Sequence, residues 1–152
     1  MIARLFGGLG NQLFIYAAAR RLALKNSVPL KLDIISGFAR DPQRKKYKLS
    51  HFNIKADIAL KHDFSESFFG RGQRYLTRKF YKIFPFEKRR YIKEEIRPFD
   101  ERLLHLKVNG KVYLDGYWQS EEYFRDIESV IREDFKFVTK HTPENQELAE
   151  VI

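Results

Sequence analysis

Four residues near the start of the chain, Gly7-Gly8-Leu9-Gly10, do most to limit what it can fold into. They separate a short β-type run, Ile2-Ala3-Arg4-Leu5-Phe6, from a segment with helical spacing. Glycines at a strand-to-helix junction permit positive φ and let another backbone or a ligand approach closely. Asn11 is placed to cap a helix reaching about Asn26, with Phe14, Ala17, Ala18 and Leu22 on its buried face. Three consecutive alanines, Ala17 to Ala19, favour close packing of that helix on a sheet. Ser27-Val28-Pro29 ends it, and Leu30-Lys31-Leu32-Asp33-Ile34 alternates as a second strand. Strand, glycine loop, helix and strand within the first 34 residues make a βαβ unit. The fold class expected is α/β, a Rossmann-like parallel sheet flanked by helices.

Composition narrows the rest. The 152 residues, 43% hydrophobic and 32% charged, suit one globular domain over residues 1–152. With no cysteine, disulfides and thiolate chemistry are excluded and a cytosolic-type environment is allowed; the location expected is cytoplasmic. The N-terminus superficially resembles a signal peptide, but Gly7, Gly8, Gly10, Asn11 and Gln12 interrupt its apolar run. The net charge of +9 points towards anionic partners.

Most of that charge lies in one window. From Arg71 to Lys93 there are nine Lys/Arg against the single acid Glu87, interleaved with six aromatics. Pro85 divides it into a helical first half and an irregular second half. Its commonest reading is a solvated amphipathic helix with the aromatics inward. Attachment to an anionic membrane surface, peripheral to the inner face, is the leading functional alternative, ahead of nucleic acid. Residues 37–50 read as a solvated loop.

Beyond the Asn109-Gly110 turn, Lys111 to Tyr117 reads as a strand. Ser120 then caps a helix whose apolar face is Tyr123, Phe124, Ile127, Val130, Ile131 and Phe135. Thr142-Pro143-Glu144 signals a further helix that runs to Val151-Ile152 without a stop signal, so the domain reads as truncated.

Two motifs carry candidate chemistry. Backbone N–H groups around Gly8 and Gly10 form either an anion site or a plain connecting turn, at even odds. A dinucleotide fingerprint with Asp33 as ribose acid fits poorly, because Leu13 stands at the third glycine position. Asp115-Gly116-Tyr117-Trp118-Gln119-Ser120 falls at the carboxyl edge of a strand, where open α/β sheets bind ligands. Aromatic faces suit sugar rings, Gln119 both donates and accepts, and Asp115 can accept a hydroxyl proton. The plainer alternative is a strand end with a core tryptophan. The four histidines are scattered; Glu101 and His105 share a helix face but lack a third ligand, so no metal site is expected.

Gly7-Gly8-Leu9-Gly10-Asn11-Gln12-Leu13-Phe14 resembles the opening motif of the family 11 glycosyltransferases, the α-1,2-fucosyltransferases. Tyr113-Leu114-Asp115-Gly116-Tyr117-Trp118-Gln119-Ser120 resembles that family's second hallmark, in the same order. Leu32-Asp33 and Lys48 to Ile54 also look like its bacterial members. The resemblance implies the N-terminal, acceptor-side domain of a two-domain GT-B enzyme. It implies inverting transfer of L-fucose from GDP-fucose to a galactoside hydroxyl, with no metal or other cofactor. On that pattern Gly8, Gly10, Asn11 and Gln12 face the donor diphosphate. Tyr117, Trp118 and Gln119 contact the acceptor, and Asp115 is the base or acceptor anchor. The family's His-x-Arg-x-Gly-Asp string does not occur, so the chain alone is expected to be inactive. The rival reading is a basic nucleic-acid-binding or non-catalytic α/β domain.

Overall fold

A computed structural model describes residues 1–39, 45–60, 62–63, 79–96 and 98–138. Five short strands form one all-parallel sheet: β1 (Ile2–Arg4), β2 (Lys31–Asp33), β3 (Asp57–Ile58), β4 (Tyr91–Lys93) and β5 (Tyr113–Asp115). Their order across the sheet is β3-β2-β1-β5-β4. Helix α1 (Leu9–Lys25) joins β1 to β2, α2 (Arg102–His105) lies between β4 and β5, and α3 (Glu128–Asp134) follows β5. The architecture is Rossmann-like, and β1, β2 and β5 share the sheet as the sequence predicts. The chain builds outwards from β1 through β2 to β3, then resumes on the other side, so the order reverses between β1 and β5. Crevices in open α/β sheets form at such a reversal, beyond the strands' carboxyl ends.

Strand alternation gives the sheet two unlike faces. Ala3, Leu32, Ile92 and Leu114 point into the main core, together with Ile15, Ala18, Ala19 and Leu22. The small alanines let α1 lie close to the sheet, as expected. The opposite face carries a second cluster, Ile2, Ala59, Tyr81, Tyr91 and Tyr113. Towards the carboxyl edge the same strands carry Arg4, Asp33 and Asp115.

Several local expectations need correction. Asn11 is not the helix cap: α1 starts at Leu9 after the extended Gly8, and the Gln12 N–H bonds the Gly8 carbonyl at 3.1 Å. Gly7 makes the turn at φ +77°, a conformation that favours glycine, and a Cβ there would stand 2.4 Å from Asn11 Nδ2 and force that side chain to move. The irregular half of the basic window contains β4, whose Tyr91 and Ile92 are buried. β3 lies at Asp57–Ile58, beyond the 37–50 loop, where the sequence indicates no element. Within residues 37–50, Leu49 belongs to the core. The helix expected after Ser120 is broken into 3₁₀ turns at Glu121–Tyr123 and Arg125–Ile127 before α3 begins. Phe124 leaves helical geometry at φ −142°. Beside it, Tyr123 is drawn in to accept the Asp100 N–H at 2.7 Å, and Asp126 meets Arg21 at 2.8 Å. Ser120 caps the first turn, accepting the Glu122 N–H at 3.3 Å. Of the helical half of the basic window, residues 71–84, only 79–84 are described, and they include a 3₁₀ turn at Tyr81–Ile83. Residues 71–78 and the helix from Thr142 lie outside the described residues.

α3 is fixed to α1 through buried Asp134. Its Oδ2 accepts from the Tyr16 hydroxyl at 2.7 Å and from Arg20 Nε at 2.9 Å. Removing one partner of a buried charged network leaves the others uncompensated. Asp134→Ala should therefore lower unfolding free energy by about 3 kcal/mol, and Tyr16→Phe by roughly 1 kcal/mol. Urea denaturation checks both values, and equal small losses would place this contact outside the fold's main supports.

Candidate active-site cleft

At the reversal between β1 and β5, side chains tie the strand ends together. Arg4 Nη1 donates to Asp115 Oδ1 at 3.0 Å, and its other nitrogens reach the Ser36 hydroxyl and carbonyl, each at 3.3 Å. The Tyr91 hydroxyl donates to Asp115 Oδ2. Asp33 Oδ2 accepts from the Tyr113 hydroxyl at 2.6 Å and from Ser36 Oγ at 2.5 Å. Its Oδ1 accepts the N–H groups of Ile35 and Ser36 at 3.0 and 2.9 Å. Asp33 thus closes a turn behind β2, and both its oxygens are engaged inside the protein. That geometry removes it as a ribose ligand and weakens the dinucleotide reading further.

Electrostatics follow the contacts. Burial alone would raise the Asp33 carboxyl, but hydrogen bonds from Ser36, Tyr113 and the backbone hold it below its ordinary value. Burial, and then the Asp33 charge, push the Tyr113 hydroxyl far above the usual phenol range. Burial works against the Arg4 charge, yet Asp115 beside it more than compensates.

Beyond this network opens a cleft of about 420 Å³, lined by Arg4, Phe6, Tyr91, Glu94, Asp115 and Tyr117 among others. Phe6 and Tyr117 form an aromatic wall, their rings 4.5 Å apart, with the Arg4 guanidinium 5.0 Å from the Phe6 centroid. Asp115 is mostly buried at the edge of the cleft. Glu94 is a second carboxylate there. Its oxygens accept the N–H groups of Tyr117 and Trp118 at 2.9 and 3.1 Å, fixing the loop after β5.

The two sequence motifs meet at this edge. Gln119 Nε2 donates to Asn11 Oδ1 at 2.7 Å, joining residues 108 positions apart. A Cβ at Gly8 or Gly10 would meet nothing within 4 Å, so neither glycine is needed to fit the protein's own atoms. The first N–H groups of α1, beside them, have no partner within the helix. Gln12 instead faces inward. Its Nε2 donates to the carbonyls of Gly7 and Lys46 at 3.0 and 2.9 Å, and its Oε1 accepts the Lys48 N–H at 2.9 Å. Trp118 is also fully buried, in the left-handed region at φ +52°, and its indole N–H has no partner. Tyr117 and Gln119 are therefore the accessible members of the second motif. Sequence reading missed Arg4, Tyr91 and Glu94. For Arg4 the available signal was a charge within an otherwise apolar strand; Tyr91 was hidden in the basic window, and Glu94 stands just past its end.

Among the described residues no group of three or more His, Asp or Glu side chains is placed to hold a metal ion. No family model and no solved structure matches the chain. The whole chain aligns with an alpha-1,2-colitosyltransferase from Escherichia coli at 28% identity. It spans about half of that relative, 50% of its length. The similarity supports a glycosyltransferase origin.

The Asp33 turn has a consequence in acid. A carboxyl depressed in the folded state contributes stability above its unfolded value, about pH 4, and loses it as pH falls through the folded value. Asp33→Asn should therefore be clearly less stable than the parent at neutral pH, with the gap narrowing below about pH 4. Urea titrations across pH measure this, and a gap independent of pH would assign the loss to shape alone.

Proposed function

We propose that this chain is the acceptor-side half of a glycosyltransferase that moves a 6-deoxy sugar from a GDP-sugar to a galactoside hydroxyl with inversion. The observation that carries the reading is the Asn11–Gln119 contact, which sets the glycine loop beside the cleft of Arg4 and Asp115. The similarity to a colitosyltransferase and the resemblance of both motifs to the α-1,2-fucosyltransferases support it. L-Fucose is the proposed sugar. Colitose lacks only the 3-hydroxyl of fucose, so donor choice turns on one hydroxyl.

In this reading Gly8, Gly10 and Asn11 supply donors to the departing diphosphate, whose negative charge grows in the transition state. Tyr117 stacks on the acceptor ring, and Gln119 bonds its hydroxyls. Gln12 and Trp118 hold the two loops rigid from behind. Asp115 accepts from the attacking hydroxyl and takes its proton as the new C–O bond forms. Because Arg4 and Tyr91 already bond Asp115, its orientation is fixed before the acceptor arrives. Catalysis in this scheme requires a second, donor-binding half facing the cleft.

Ligand binding to the chain tests this directly. Protein-detected NMR with N-acetyllactosamine should perturb Tyr117 and Arg4, and GDP should perturb Gly8 to Asn11. Binding of neither at this edge would discard the proposal. Asp115→Asn should weaken the galactoside roughly tenfold while leaving GDP unchanged. In a polypeptide joining this half to a donor-binding half, Asn11→Ala should lower kcat by roughly ten- to a thousandfold. Offering that polypeptide both GDP-fucose and GDP-colitose identifies the sugar. If Asp115→Asn retains parental kcat and Glu94→Gln does not, the proton acceptor is Glu94.

A further inference from the structure

The turn that precedes β4 presents apolar side chains outward on a rigid base. Ile83 is 72% exposed and Phe84 56%, with Phe80 also exposed. Between them Tyr81 points inward, meeting Tyr91 edge-on at a centroid distance of 5.5 Å. Its hydroxyl donates to Glu95 at 2.6 Å. Arg89 locks the turn from below. It donates to the Phe84 carbonyl at 2.9 Å and stacks over the rings of Tyr81 and Phe86 at 5.2 and 5.6 Å. The apolar tips are thus held out on a fixed turn rather than folded back.

Cations surround them. Residues 79–90 hold five Lys/Arg against the single acid Glu87. Lys82, Lys88 and Arg90 are exposed. The adjoining Glu95 is already engaged by Tyr81, Arg89 and Lys82. An aliphatic tip beside aromatic ones, ringed by lysine and arginine, matches a bilayer with anionic headgroups. A nucleic acid would use the cations and leave Ile83 unemployed.

We infer that the Phe80–Ile83–Phe84 turn with its basic rim is an interfacial anchor for an anionic membrane. The occupant is the headgroup and upper acyl region of the bilayer, with Ile83 and Phe84 inserted and the cations on phosphate oxygens. No helix among the described residues is long and apolar enough to cross a membrane, so this contact lies in the interface. Tyr81 couples the turn to Tyr91 at the cleft, which brings the cleft near the membrane surface.

Sedimentation of the chain tests this, using vesicles of phosphatidylcholine alone and of phosphatidylcholine mixed with phosphatidylglycerol. Binding should be at least tenfold tighter to the mixed vesicles and should weaken with added salt. Ile83→Ser with Phe84→Ser should reduce it by roughly ten- to a hundredfold, since two apolar insertions are lost. Lys82→Gln with Lys88→Gln should reduce it by roughly fivefold per charge. Both pairs are exposed, and circular dichroism confirms their folding. Equal partitioning to both vesicle types overturns the anchor, as does binding unchanged in the serine pair. So does tighter binding of an oligonucleotide that the serine pair leaves intact.

Discussion

Strands of two and three residues form few ladder hydrogen bonds, and this sheet compensates with side chains at its carboxyl edge. Arg4 of β1 grips Asp115 of β5 and the turn after β2 at once. Asp115 is also held by Tyr91 of β4, and Asp33 of β2 by Tyr113 of β5. Four strands are joined by these few charged contacts, each oxygen placed by the one before it. Half-buried charges of this kind are tolerated only while every member keeps its partners. The network therefore fixes strand register and cleft shape together.

This coupling explains why the cleft is polar on one side and aromatic on the other. The face against α1 is fully apolar, so charged side chains can only emerge on the opposite face. There they collect at the order reversal between β1 and β5. Phe6 and Tyr117 leave the same strand ends and supply flat surface beside the charges. A hydroxyl-rich ring fits such a site, since its edges need hydrogen bonds and its faces need aromatic contact. The glycine loop adds unpaired N–H groups on the adjoining rim.

Much of this was legible in the sequence, and the losses have physical causes. The βαβ opening could be read because glycines, alanines and Pro29 mark its boundaries locally. β5 could be read because apolar residues follow the Asn109-Gly110 turn. β4 could not, since Tyr91-Ile92-Lys93 is too short for periodicity and its strand geometry comes from pairing with β5. β3, at two residues, is set entirely by β2. The break after Ser120 arises from Tyr123 and Asp126 reaching partners far along the chain, which no helical periodicity records. Asn11 carried the right residue type for a cap, but Gly8 had already supplied the extended residue. Asp115 was identified by type and position, whereas its grip by Arg4 and Tyr91 needed coordinates.

Trp118 gives the molecule an optical property. It is the chain's single tryptophan, fully buried, and its backbone N–H rests on Glu94 at the cleft. All indole emission therefore originates at one point, beside Gly116 of the cleft lining. With an apolar surround and no partner for its N–H, that indole should emit at the blue end of the tryptophan range. A ligand that shifts Glu94 or Tyr117 would alter the field at the ring. The unlabelled protein thus contains its own reporter of cleft occupancy, distinct from the many tyrosines elsewhere.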